Sequence, residues 1–193
     1  VLGLADGIVL DRDPRPVGLM VAKVLALARS FTRVAAYRLG TDERVDWADT
    51  RNLPTLDPER APRLMAVTAK AAPNLKRLAG GSMGGRKLEK PVLHYSLYWP
   101  HDRRPAQAEM EQAVAESLAA LELERHEALI VAHTAHLHVI ANRVHPETGR
   151  AAPLGLSRIR LSEWAERWER EHGGIRCCQR VKNNAHRRSR LPG

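Results

Sequence analysis

Three histidines fall within six residues, in the stretch AHTAHLHVIAN at 132–142. Neutral imidazole is the commonest nitrogen ligand for divalent transition metals, so the spacing of His133, His136 and His138 raises a metal site. A strand over 136–142 sends His136, His138 and Asn142 to one face and Leu137, Val139 and Ala141 to the other. If Thr134 and Ala135 form a two-residue turn, His133 stands directly opposite His136, with roughly 5 Å between Cβ atoms, and His138 lies on the diagonal at roughly 7 Å. The favoured turn of that length needs positive φ at both positions, which Thr and Ala resist, so a looser loop is the alternative. Three imidazoles on one ion leave coordination positions open for a substrate oxygen, as a catalytic site requires. The plainer alternative is a set of satisfied structural histidines. A metallohydrolase pattern continuing with Asp and His is absent, since Val139, Ile140 and Ala141 follow.

The elements that must position these side chains can be read on either side. Residues 127–144 read as an apolar strand running into an alternating one. Residues 92–99 alternate as a further strand, with Leu93, Tyr95, Leu97 and Trp99 on a buried side and His94, Ser96 and Tyr98 on a polar one. Val24, Leu27, Phe31, Val34 and Ala35 fit one face of a helix over residues 20–39, with a break at Ser30. Residues 40–54 carry turn formers and charges. Asp57 and Pro58 predict a helix start, followed by Leu64, Val67 and Ala71, with Pro62 working against it. Residues 73–90, PNLKRLAGGSMGGRKLEK, read as a mobile basic loop or a solvated linker. Pro105 opens a core helix through Met110, Ala113, Val114, Leu118 and Leu121. A last helix starts near Ser162, buries Leu161, Trp164, Ala165 and Trp168, and stops at Gly173 and Gly174. Trp164 and Trp168 read as core rather than base-stacking platforms.

The chain has 193 residues, with 31 Lys and Arg against 22 Asp and Glu, a formal charge of +9 and a pI near 10.2. That surplus favours a polyanionic partner. No segment is apolar over the roughly 18–20 residues a membrane span needs, and the start carries three Asp without a signal-peptide core, so a soluble cytoplasmic protein is expected. Cys177 and Cys178 are adjacent, which excludes a disulfide framework. The domain reading is a peripheral segment at 1–19, a catalytic domain at 20–176 and a basic tail at 177–193, whose unclosed ending suggests truncation.

At AHTAHLHVIANRVHPETGR the sequence resembles the third motif of plasmid mobilisation relaxases, bacterial HUH-type single-strand endonucleases. RKLEKPVLHYSLY at 86–98, ALIVA at 128–132, LSRIRLSEWAERWEREHGGIRCCQRVKNN at 156–184, RNLP at 51–54 and RSF at 29–31 extend the likeness from about residue 20 to the end. The resemblance implies an α+β fold, a two-layer arrangement in which a central antiparallel sheet is flanked by helices. It makes Tyr37, in VAAYRL, the nucleophile, and His136 and His138 metal ligands, with His133 completing the triad. In related sequences an acidic residue and a longer stretch follow the first histidine. Only Thr134 and Ala135 intervene here, a departure that bears on His133 and points to lowered activity.

The implied chemistry is nicking and rejoining of one DNA strand: Tyr37 attacks a phosphodiester, leaving a 5′-phosphotyrosine and a free 3′-hydroxyl. The implied cofactor is a divalent ion, Mg, Mn or another transition metal, acting as a Lewis acid. The implied partner is single-stranded DNA at a plasmid transfer origin, with accessory mobilisation proteins. Arg86, Lys87, His94, Ser96, Asn142 and Arg143 are the expected DNA contacts. Tyr98 is a second candidate nucleophile, and an interfacial aromatic is the alternative role for Tyr37. Two further readings stay open: a DNA-binding module that has lost cleavage, and a phosphodiesterase that activates water.

Overall fold

Residues 127–142 build the centre of the molecule. Ala128–His133 (β4) and His136–Asn142 (β5) pair antiparallel with His133 opposite His136, so Thr134 and Ala135 are the entire turn. Neither turn residue has positive φ, and the chain closes by another geometry than the one favoured for this length. The Ala135 carbonyl is tied off by the Trp99 amide at 2.9 Å. Described are residues 20–40, 44–82, 84, 87–99, 104–173 and 177–190 of what is a computed structural model. The expectations for Arg86 and for residues 1–19 lie outside them.

Val92–Tyr98 (β3) pairs with β5, Trp47–Arg51 (β2) with β4, and Val21–Ala28 (β1) with β3. The result is a five-stranded antiparallel sheet in the order β1-β3-β5-β4-β2, the expected α+β class. β1 corrects the single helix read over 20–39. A bulge between Val24 and Ala26 interrupts its two-residue alternation, so Ala22 and Val24 face one side and the next residue on that side is Leu27, opposite Leu93. The resulting three-residue step imitates helical spacing. Helix α1, Phe31–Leu39, is separate and starts where the Ser30 hydroxyl accepts from the Arg33 amide. β2 likewise emerges from a stretch read as turns.

Helices cover both faces of the sheet. Gln107–Ala120 (α3) and Ser157–Glu171 (α4) close over Leu93, Tyr95, Leu97, Ile130, Leu137 and Val139. Trp164 and Trp168 are core there, as expected, and each such buried side chain contributes roughly 1.5–3 kcal/mol. The Tyr95 hydroxyl meets Ser117 at 2.9 Å, and burial pushes its ionisation upward. On the other face α1 and Ala61–Leu78 (α2) pack Phe31, Ala35 and Met65 on Val92, Leu129, Val131 and Ile140. This second helical layer is additional to the expected two.

α2 begins at Ala61, later than Asp57 suggested, with Pro62 in the first turn where its missing N–H costs nothing. It continues through Pro73 to Leu78, which removes the first third of the loop read over 73–90. α4 begins at Ser157 rather than near Ser162. Beyond it, Cys178–Arg188 (α5) packs on α4. Buried Asn184 donates to Glu166 at 2.6 Å and accepts from the Ser162 hydroxyl at 3.0 Å, so the basic C-terminal stretch contains an integrated helix. Among the described residues no helix is long and apolar enough to cross a membrane.

Candidate metal centre

Period-2 alternation on β3, β4 and β5 delivers His94, Ser96, Tyr98, His133, His136 and His138 to the sheet face beneath α1. One ring nitrogen from each of His133, His136 and His138 lies within 4.8 Å of the others. The hairpin without an inserted segment therefore still gathers the three imidazoles. Their rings stack or meet edge-on, with centroids 4.8 Å apart for His133 and His136, 5.0 Å for His136 and His138 and 5.6 Å for His133 and His138. Tyr98 lies flat on His136 at 4.9 Å.

At His133 hydrogen bonding decides where the lone pair points. The Arg44 carbonyl can only accept, so Nδ1–H of His133 donates to it across 3.1 Å and Nε2 is left with its lone pair. That Nε2 is buried and has no partner. At His138 Nδ1 meets Nε2 of His94 at 3.2 Å, and its own Nε2 is likewise buried without a partner. Two orphaned, buried nitrogens beside a third imidazole would be costly as an endpoint, and they fit a cation.

The local field keeps His138 and His94 neutral. Burial and then the Arg38 charge pull His138 down to about 3, with His94, His136 and His133 adding smaller pushes in the same direction. Burial and Arg38 likewise bring His94 to about 4. Arg38, near the end of α1, is thus a cation within electrostatic reach of the cluster, and its buried Nε has no partner. Its guanidinium also lies 4.6 Å above the ring of Tyr37, which is 63% exposed. Among the described residues no carboxylate belongs to the cluster, so a divalent ion here would keep its charge and, beside Arg38, attract an anion.

The residues expected to contact DNA are placed as follows. His94 is buried, and its ring orients His138. Ser96, directly opposite His138 and on the same face of the sheet, is fully buried with an unpartnered Oγ. Asn142 is fully buried and engaged on both sides of its amide, donating to the Met65 carbonyl and to Glu127 and accepting from the Val144 amide. The Arg143 guanidinium donates to the carbonyls of Lys90 and Ala152. These groups brace the frame. Lys87 remains exposed. The orienting roles of His94 and the Arg44 carbonyl, and the reach of Arg38, were missed because each depends on pairing between distant segments. The histidine diagonal from β3 to β5 becomes visible only once their register is known.

Comparison with known proteins gives the family. The chain belongs to the relaxase family: the MobA/VirD2-like relaxase nuclease domain matches residues 37–174, a stretch that opens on Tyr37 and includes all three histidines. It is also 33% identical over 98 residues to protein MobA of Acidithiobacillus ferrooxidans, an alignment covering 43% of this chain and 23% of that protein. The chain thus matches about a quarter of that relative's length. No solved structure matches it.

Proposed function

We propose that this domain nicks and rejoins one strand of DNA at a plasmid transfer origin, through Tyr37 and a divalent ion held by His133, His136 and His138. The observation that carries the reading is the pair of buried, unpartnered Nε2 atoms of His133 and His138 within a three-imidazole cluster. A bound divalent ion would supply Lewis-acid polarisation of a nonbridging phosphate oxygen.

The chain's own residues account for the remainder. The Tyr37 oxygen bonds to phosphorus as the 3′ oxygen departs, and the phenol proton passes to solvent or to the leaving group. One phosphoester replaces another, so the step needs no external energy and runs backwards when the 3′-hydroxyl returns. Arg38, with a free Nε and a ring contact to Tyr37, supports charge on the phosphate and holds the phenol ring. His94, in contact with the second nitrogen of His138, holds that ring in place. Accessory mobilisation proteins are further expected partners in the cell.

Incubation with single-stranded oligonucleotides carrying a transfer-origin sequence, plus Mn or Mg, tests the proposal. A denaturation-resistant protein–DNA adduct that disappears in Tyr37→Phe is the expected result. Cleavage that persists in Tyr37→Phe would mean that water is the nucleophile, and the proposal would fail.

A further inference from the structure

At the far end of α1 from Tyr37, a groove of about 940 Å³ opens between α2, the segment at 87–91 and the loop after β5. Its lining carries Arg29, Arg63, Lys70, Lys76 and Lys87 against the single carboxylate of Glu89. Glu89 is already paired with Arg29 at 3.2 Å, whereas the other four cations have no ion pair among the described residues. The arrangement follows from helical spacing: Arg63, Ala66, Val67 and Lys70 fall at i, i+3, i+4 and i+7, so α2 turns one face into the groove. Across from it the loop containing Gly149 is pressed against α2, where a Cβ would lie 2.8 Å from the Lys76 amide nitrogen.

We infer that this groove carries single-stranded DNA to the histidine site, holding the strand by its phosphates. The inference rests on the function proposed above and adds the path of the substrate. Phe31 lines the groove and Tyr37 lies six residues further along the same helix, a rise of roughly 9 Å, so α1 joins groove to site within a short length of strand. The aromatic in the lining, Phe31, is itself 2% exposed and offers no stacking platform. Grip must then be electrostatic, independent of base sequence and steeply salt-dependent. Four unpaired cations around an apolar floor suit a phosphate backbone with its bases turned outward.

The test separates this inference from nicking itself. Binding of fluorescent single-stranded oligonucleotides is measured by anisotropy over a salt series, with Tyr37→Phe protein in EDTA, so neither the metal nor the nucleophile takes part. The triple variant Arg63→Gln, Lys70→Gln, Lys76→Gln is compared with a control triple on the opposite side of the sheet, Arg158→Gln, Arg167→Gln, Lys182→Gln, and circular dichroism verifies folding. Loss of three phosphate contacts should flatten the slope of log K against log salt by about 2 in the groove variant and clearly less in the control. The deficit should shrink for oligonucleotides too short to reach beyond the histidine site. Equal slopes in the two triples, an unchanged groove variant, or an effect confined to duplex DNA would overturn the inference, whatever the nicking assay shows.

Discussion

Nε2 of His94 on β3 lies 3.2 Å from Nδ1 of His138 on β5. A ligand ring needs a partner on its second nitrogen to fix its tautomer and direction, and such partners typically govern metal affinity by about 10–100-fold. His94→Ala should therefore weaken Mn binding by a factor in that range, read by calorimetry or chelator competition. His94→Gln, whose amide can either donate to or accept from that ring nitrogen, should recover part of it. Equal affinity in all three proteins would show that the contact does not orient the ligand.

Arg38 should act with opposite signs on two measurements. Its charge opposes a cation in the cluster but favours an anion beside it. Arg38→Gln is expected to bind metal as tightly as the parent or more tightly, while nicking falls about 10²–10³-fold, as when one charge-stabilising donor is removed elsewhere. A variant that loses metal affinity and keeps its rate would contradict this assignment.

The depressed histidines also set an acid limit on the metal-free protein. His138 at about 3 and His94 at about 4 both lie below the ordinary 6.5. Between pH 6.5 and these values the unfolded chain takes up protons that the folded one refuses, so stability is full above pH 6.5 and declines as pH falls. In EDTA the urea midpoint should drop from pH 7 to pH 5, with an upper limit of roughly 1.4 kcal/mol per group per pH unit. His94→Gln should reduce the drop. A midpoint independent of pH would contradict neutral, buried rings.

Gly149 provides a test of the groove wall. It has φ of 62°, and an added Cβ would overlap the Ala72 carbonyl oxygen and lie 2.9 Å from the Leu75 Cβ. Gly149→Ala should destabilise the fold by about 2–4 kcal/mol, from left-handed backbone and overpacking together, with a lower melting temperature as the readout. A neutral effect would mean that this loop is free to move off α2.

The site was more legible than the frame around it. Alternation at 136–142 and the two-residue gap before it determine which histidines share a face, because both are local properties of the chain. The β1 strand was read as helix because the bulge at Val24 and Ala26 shifts its apolar residues to a three-residue step. α5 was hidden for a different reason: it is held by Asn184, Arg180 and the carboxylates of α4 rather than by an apolar stripe, so hydrophobic periodicity carries no trace of it. For Asn142 and Arg143, expected as DNA contacts, the sequence gives no sign of the intramolecular hydrogen bonds they make. Their partners at Met65, Glu127, Lys90 and Ala152 come from other parts of the chain.

Peptide mapping of the DNA adduct addresses the account most directly. After reaction with a transfer-origin oligonucleotide and Mn, followed by nuclease and trypsin digestion, mass spectrometry should find the nucleotide 5′-phosphate on the peptide VAAYR, residues 34–38, attached to Tyr37. Attachment at Tyr98 or any other residue, or strand cleavage that leaves the protein unmodified, would contradict the account.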